Sequence, residues 1–435
     1  MTTNSLIYII LAVAVIIAIM RGKIDLISVC GACYILYTMY CIYGYGIAGF
    51  YRPKLSPKLY HYVYAQLLII LIYVVIKNYR DKKAKRKTRL YVQQADEAEN
   101  KRAMDLSFYA YTAVIAAFAF INIARVGLSR FASGKANVWS STNIFYIISL
   151  WGAFVSFAYG IHNKKRIIWI VSLVIELSIF FAGSRAFTAS LIVIFLAEYG
   201  STLWKNRTKN IYLYILAIAA VLFMIVYRTV DKQIMAGNIS GALESLKNPE
   251  VWATALEFNE PRVIIANYDY AFTSGIRLPA SDVVYRIIDF VPGATKLIPI
   301  KLSYPEFFSD WLRVQENASG GVAGTIWGES YAMLGPIGLL GATWLWLFLM
   351  DMCNRHLKYP GGHSYFLVGL GAYLSWYISR LDYNRVGQIC KVLLLCYLIW
   401  GFFYMMLGGS IEFFGVKLKI DVNDLTNTLR RKTIK

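Results

Sequence analysis

The sequence predicts an all-α, polytopic integral membrane protein. Hydrophobic residues make up 58% of the 435 residues, only 16% are charged, and the mean hydropathy is +0.49, whereas soluble domains have roughly 25% charged residues. The 45 Lys and Arg exceed the 25 Asp and Glu, which gives a net charge of +20, and the basic clusters lie between long apolar runs. A nucleic-acid binder would instead carry its basic clusters on a polar chain. The pattern also excludes a soluble enzyme, a disordered chain and a secreted disulfide scaffold.

Eleven segments are long and apolar enough to cross a hydrocarbon core, for which about 20 residues are needed. The first has no basic residue ahead of it and no small-residue cleavage site, so we expect a retained helix rather than a signal peptide. The eleven predicted spans lie near Leu6–Met20, Ile24–Gly46, His61–Ile76, Leu106–Ala124, Asn143–Ile161, Ile167–Ala182, Ala186–Trp204, Ile211–Tyr227, Gly324–Met350, Ser364–Ser379 and Val386–Leu407.

Basic residues predict the orientation of these spans, because Lys and Arg accumulate in cytoplasmic connections. Dense basic clusters fall in alternate connections, so the N-terminus is expected outside and the C-terminus inside, as an odd number of spans requires. The chain then divides into residues 1–228 with spans one to eight, an outer loop at 229–323, residues 324–416 with spans nine to eleven, and a basic cytoplasmic tail at 417–435.

The outer loop is too interrupted to be one helix, since it holds six of the ten prolines. Its many aromatic residues supply apolar surface for folding against the membrane. Within it, Val283, Val284, Ile287 and Ile288 recur at helical spacing, with Asp282, Arg286 and Asp289 directed elsewhere. The spacing predicts a short amphipathic helix at the outer membrane interface.

Common cofactor and metal signatures are absent from the sequence. The chain has no phosphate-binding P-loop and no HExxH motif, and none of its four histidines lies in the outer loop. The six cysteines lie in predicted spans or at their ends, where we interpret them as small packing residues. We therefore predict no metal, no cofactor and no nucleic-acid partner.

Arginines at the outer ends of the predicted spans are the first candidates for chemistry. Arg185 lies in the very short connection between two spans, and Glu176, nine positions back, is on the opposite helix face. The planar guanidinium group favours bidentate binding of phosphate, although a solvated or ion-paired role is the alternative for each arginine. The predicted phosphate ligands are Arg185, Arg228, Arg262, Arg286, Arg313 and Arg385.

Carboxylates near the same surface are the second set of candidates. Glu329 lies near the outer end of a long apolar span, where an ionised group needs a partner or a task. Glu260 and Asp289 in the outer loop are the alternates as catalytic carboxylates. Glu176 and Lys391 lie inside spans, and they could pair with each other or support helix packing.

Two short segments resemble a known family. Residues 183–186, Gly-Ser-Arg-Ala, are similar to the Gly-Ser-Arg-Gly/Ala segment of the Wzy-type O-antigen polymerases, which assemble oligosaccharide repeat units in bacterial inner membranes. Residues 328–338, Gly-Glu-Ser-Tyr-Ala-Met-Leu-Gly-Pro-Ile-Gly, resemble that family's Glu-x-Tyr-x-x-Phe-Gly-x-x-Gly segment, with Leu334 in place of the aromatic residue. The number of spans and the large loop in the second half of the chain also resemble this family.

The resemblance implies a GT-C-like glycosyltransferase acting at the periplasmic face. Its substrates would be oligosaccharides linked to undecaprenyl diphosphate, with the diphosphates held by arginines and the acceptor hydroxyl activated by Glu329, Glu260 or Asp289. Membrane lipids and a Wzz-type chain-length regulator would be its partners. Energy stored in the sugar–diphosphate bond would explain why no nucleotide site is present.

Three alternatives remain open. An O-antigen ligase resembles this architecture, but ligases usually rely on a histidine in the large loop, which is absent here. A transporter or flippase of lipid-linked sugars would be expected to show internal repeats, and we find none. A non-enzymatic assembly partner would not need clustered outer arginines.

Overall fold

The protein is described here from a computed structural model. The residues whose structure is described are 2–44, 54–87, 97–126, 144–181, 185–205, 233, 237–250, 260–298, 300–315, 325–358, 361–413 and 416–419.

These residues are almost entirely helical, which confirms the predicted all-α class. The helices are α1 Thr3–Met20, α2 Leu26–Thr38, α3 Pro57–Lys87, α4 Glu97–Val126, α5 Ile144–His162, α6 Arg166–Phe181, α7 Arg185–Lys205, α8 Ile239–Ser245, α9 Glu260–Thr273, α10 Ala280–Ile288, α11 Ala294–Leu297, α12 Phe308–Gln315, α13 Ile326–Lys358, α14 Ser364–Tyr377 and α15 Tyr383–Met406. Short 3₁₀ turns at Met39–Ile42 and Ile378–Arg380 extend α2 and α14. An antiparallel hairpin of β1 Ser410–Phe413 and β2 Val416–Lys419 pairs Ser410 with Lys419.

Six of the described helices are long and apolar enough to cross a membrane, as a multi-pass membrane protein requires. They comprise Thr3–Met20, Pro57–Lys83, Lys101–Arg125, Ile144–His162, Ile326–His356 and Tyr383–Met406. Leu26–Ile42 and Ala189–Gly200 are shorter apolar helices. The predicted span at 211–227 lies outside the described residues.

The chain forms two compact units whose segments alternate along the sequence. The first unit comprises Met1–Ala84, Ile192–Lys358 and Leu370–Lys391. The second unit comprises Lys85–Leu191, Tyr359–Gly369 and Val392–Lys435.

In the first unit, α2 packs against α9 and α13. Polar side chains tie the apolar helices together, because a buried donor without an acceptor is costly. The Tyr34 hydroxyl donates to Gln66, 2.8 Å away, and the Gln66 amide donates to Thr343, 3.0 Å away. The rings of Tyr34 and Trp327 meet edge to face, with centroids 6.1 Å apart.

In the second unit, α4, α5 and α6 pack side by side. The Phe108 ring stacks on Tyr159 with centroids 3.8 Å apart, and Asp105 accepts hydrogen bonds from the Tyr159 hydroxyl and from Lys165. The carboxyl oxygens of Glu176 on α6 are buried and have no hydrogen-bond partner in the described part of the chain.

Candidate functional site

Helix α13 begins with the second segment that resembles the family. Close packing explains why this segment has a glycine at position 328. A side chain at Gly328 would place its Cβ 2.8 Å from the Cβ of Ala271 on α9. Gly328 therefore lets α9 approach α13 closely. Glu329, the next residue, is completely buried.

Glu329 forms a buried ion pair with Arg286 of α10. The Arg286 Nε donates to one Glu329 oxygen, and the backbone N–H of Tyr383 donates to the other at 2.7 Å. Both side chains are 0% exposed. A buried charge without a partner would cost several kcal/mol, so each of these charges requires the other.

The remaining donors of Arg286 hold the outer loop together. Its Nη1 donates to the carbonyl of Asp282 and its Nη2 to the carbonyl of Pro305, both at 3.1 Å. The Asp282 carboxylate in turn accepts the backbone N–H groups of Ser303 and Tyr304. Arg286, predicted as a phosphate ligand, thus uses its guanidinium group for contacts within the protein.

Asp289, at the end of α10, pairs with α15 rather than with α13. Its Oδ1 accepts from Lys391 of α15 at 2.6 Å, and its buried Oδ2 has no hydrogen-bond partner among the described residues. The suggested pairing of Glu176 with Lys391 is therefore wrong, because the Lys391 ammonium group is taken by Asp289.

A kink in α13 attaches a second part of the outer loop. Pro336 has no N–H group, so it leaves the carbonyl of Ala332 without its helical partner. The backbone N–H of Leu278 takes that place at 2.8 Å. Gly335 has a φ of +64° at the kink, and a Cβ there would approach the Arg277 guanidinium group to 3.6 Å.

Two exposed cations gather around the tyrosine of the same segment. Arg277 and Lys58 lie over the Tyr331 ring, at 4.7 and 5.2 Å from its centroid. The Lys58 Nζ also donates to the carbonyl of Phe272 at 2.7 Å, which caps the end of α9. The Tyr62 hydroxyl lies 3.4 Å from that of Tyr331. We call Lys58, Arg277, Tyr62 and Tyr331 the cationic tyrosine cluster.

Arg385 lies at the start of α15 and keeps much of its surface. Its backbone N–H donates to Asp382 at 3.0 Å, its Nε lies 3.7 Å from the same carboxylate, and its guanidinium group lies over the Phe307 ring. Burial raises the pKa of the Asp382 carboxyl, and Arg385 opposes that rise. Arg385 is thus an exposed cation two residues after Tyr383, whose backbone N–H donates to Glu329.

The remaining predicted phosphate ligands and the alternate catalytic residue Glu260 are only partly described. Arg185 is the first residue of α7, Arg313 lies on α12 and Glu260 begins α9, but their side chains are outside the described residues, as is all of Arg228. The Arg262 guanidinium group lies 5.9 Å from the centroid of the Tyr40 ring.

Sequence reasoning did not assign the cationic tyrosine cluster. Lys58 follows a short connection far from the outer loop in the sequence, and no pattern distinguishes Arg277 from the other arginines of that loop. The signal for it was the Gly335-Pro336 pair, which frees a carbonyl that a loop can bind. Among the described residues, no group of three His, Cys, Asp or Glu could hold a metal ion.

No protein-family model matches the chain, and no curated protein or solved structure shows significant similarity to it.

Proposed function

We propose that the chain is a Wzy-type polymerase of the bacterial inner membrane, which joins lipid-linked oligosaccharide repeat units at the periplasmic face. The proposal includes eleven spans, an external N-terminus and a GT-C-like arrangement. In the reaction, a hydroxyl oxygen of the incoming unit bonds to the anomeric carbon of the growing glycan. The bond from that carbon to undecaprenyl diphosphate breaks, the diphosphate leaves with the electron pair, and the hydroxyl proton passes to a carboxylate.

One observation carries the proposal: loop arginines contact both the glutamate and the tyrosine of the segment that resembles the family. Arg286 binds Glu329, and Arg277 lies over Tyr331. The outer loop and the beginning of α13 thus form one continuous group of charged and aromatic side chains. Such a group is suited to a substrate whose diphosphate lies at the membrane surface.

Phosphate binding is best supported at the cationic tyrosine cluster. Lys58 and Arg277 are exposed, lie within about 5 Å of one ring and belong to the beginning of a spanning helix and to the outer loop. Two cations held together in this way can stabilise the charge that develops on a departing diphosphate. Arg185 and Arg228 remain predicted ligands of the same kind.

The contacts of the carboxylates favour Asp289 over Glu329 for proton acceptance. Both Glu329 oxygens already accept hydrogen bonds, whereas one oxygen of Asp289 has no donor among the described residues. In the proposed enzyme, Glu329 fixes the loop through Arg286 and Asp289 takes the proton. Glu260 remains the alternate.

Deletion of the gene tests the activity. Lipopolysaccharide from the deletion strain should carry core plus a single repeat unit on a gel. Loss of all O-antigen from the core would instead indicate a ligase, and an unchanged ladder would refute both enzymes.

Substitutions in the cationic tyrosine cluster test the site. Lys58→Ala and Arg277→Ala should each shorten or abolish the ladder at unchanged protein level in the membrane. The matched control is Lys247→Ala, which removes an exposed cation from the same outer loop. If both cluster variants gave the ladder of the control, the cluster would not bind the diphosphate. Arg277→Lys keeps the positive charge but removes the planar guanidinium group, so it tests which of the two the activity requires.

A further inference from the structure

Helix α10 presents its polar face to the protein and its apolar face outward. Asp282 and Arg286 are fully buried, whereas Val284 is 48% and Ile287 is 65% exposed. At 100° per residue, these two sets lie on opposite sides of the helix. For a helix exposed to water the opposite orientation would be favoured, because surface helices normally bury their apolar side in the core and expose their polar side.

The charged contacts of α10 place it at the depth of the spanning helices. Glu329 is the fourth residue of α13, so its pair with Arg286 holds α10 beside the first turn of a span. Lys391 is the ninth residue of α15, about 12 Å along the axis from its beginning at 1.5 Å per residue.

Because the lysine side chain is long, Asp289 lies less deep than the backbone of Lys391, but it still lies below the level at which α15 begins. In a helix, side chains tilt toward the N-terminal end, and a lysine stem reaches about 6 Å in that direction. Asp289, which binds the ammonium group, is then about 6 Å inside the level at which α15 begins. Helices that lie in a membrane interface insert their apolar face about 5–10 Å, which agrees with this depth.

The apolar surface continues beyond the end of the helix. Val291, Leu297 and Ile298 are all more than half exposed. Lys296 is exposed in the same stretch, and a lysine at this level can keep its ammonium group among the lipid headgroups. Exposed apolar side chains therefore continue along the chain from α10 to the residue after α11.

We propose that residues 280–298 are embedded in one leaflet of the bilayer, with Val284, Ile287 and Val291 in contact with lipid acyl chains. The occupant is the bilayer rather than a second copy of the chain, because the two ion pairs attach this surface to spanning helices at acyl-chain depth. The proposal holds whether or not the chain is a glycosyltransferase.

The experiment measures the environment of a nitroxide spin label at Ile287→Cys in reconstituted bilayers. The six native cysteines are replaced first, and all are buried or partly buried. The lipid reference is Ile10→Cys on α1, where the native side chain is 59% exposed, and the water reference is Lys247→Cys. The label at Ile287 should collide often with oxygen and rarely with a water-soluble nickel complex, as at Ile10.

Two results would overturn the proposal. Nickel accessibility at Ile287 equal to that at Lys247 would show that the surface faces water. Low accessibility to both reagents, together with spin–spin broadening between labels, would show that a second copy covers it. If the cysteine-free chain does not fold, Ile287→Asp in the native chain replaces the label. It should lower the thermal midpoint in lipid nanodiscs, where Lys247→Asp should not, and equal midpoints would refute lipid contact.

Discussion

The buried pair of Arg286 and Glu329 makes a quantitative prediction about stability. Both side chains are 0% exposed, and removal of one partner leaves the other charged in the protein interior. Such a loss costs about 3–5 kcal/mol, so we expect Arg286→Met and Glu329→Leu each to destabilise the protein by about that amount. If the two residues contributed independently, the double variant would be destabilised by the sum, about 6–10 kcal/mol. Because the double variant has no unpaired charge, we expect it to lose no more than either single variant.

Thermal unfolding in detergent can be followed with a thiol-reactive fluorogenic dye. The six free cysteines are buried or partly buried, so unfolding exposes them to the dye. The expected order of midpoints is wild type highest, then the double variant, then the two single variants. Arg355→Met is the matched control, because Arg355 is 55% exposed and its pair with Asp351 spans one helical turn. The control should lose only about 0.3–0.5 kcal/mol, because Arg355 is exposed and the buried Asp351 keeps its ion pair with Arg80.

The reasoning is refuted if the midpoint of the double variant falls by the sum of the two single effects. That result would mean that the two charges are stabilised separately, by solvent or by other groups. A control variant as unstable as Arg286→Met would show that loss of any arginine has this effect.

Three further predictions concern the attachments around α13 and use the same thermal assay. Gly335→Ala should cost about 1–3 kcal/mol, because a φ of +64° with a ψ of −148° is a backbone conformation that essentially only glycine adopts. Gly341→Ala, with open space around its Cβ position, should be neutral or stabilising. Equal effects of the two substitutions would contradict the role of the kink. Gly328→Ala should cost about 1–3 kcal/mol, because the new Cβ would lie 2.8 Å from Ala271, and an unchanged midpoint would mean that α9 and α13 separate freely. Lys391→Met should cost about 1–3 kcal/mol by leaving Asp289 without its cation, less than for Arg286 because Lys391 is 26% exposed. A second substitution, Asp289→Leu, should recover part of that loss, and no recovery would argue against the pair.

The sequence was sufficient for the helices and for their apolar character. Long apolar runs form helices in a membrane because the backbone has no other source of hydrogen bonds. The amphipathic pattern at 283–288 likewise predicted α10, and it correctly separated the apolar positions from Asp282, Arg286 and Asp289.

The partners of the charged residues could not be predicted from the sequence. Hydropathy indicates that a charge within a span needs a partner, but it does not say which one. Arg286 and Glu329 are 43 positions apart with three prolines between them, so no helical or strand register relates them. Lys391 was suggested as a partner of Glu176 because both lie in spans, whereas its partner Asp289 is in the loop. Only the path of the loop decides these pairings.

The two attachments of the loop explain why α13 is kinked just after its buried carboxylate. Pro336 frees the carbonyl of Ala332 for Leu278, and Glu329, three residues earlier, binds Arg286. Residues 278–286 of the loop are therefore attached at both ends to α13, through two residues of that helix that lie three positions apart. A straight helix would satisfy its own carbonyl, and this part of the loop would then lose its backbone hydrogen bond to α13. The kink thus contributes rigidity, and this rigidity holds Arg277, the cation that the loop supplies to the cationic tyrosine cluster, in a fixed position before any ligand binds.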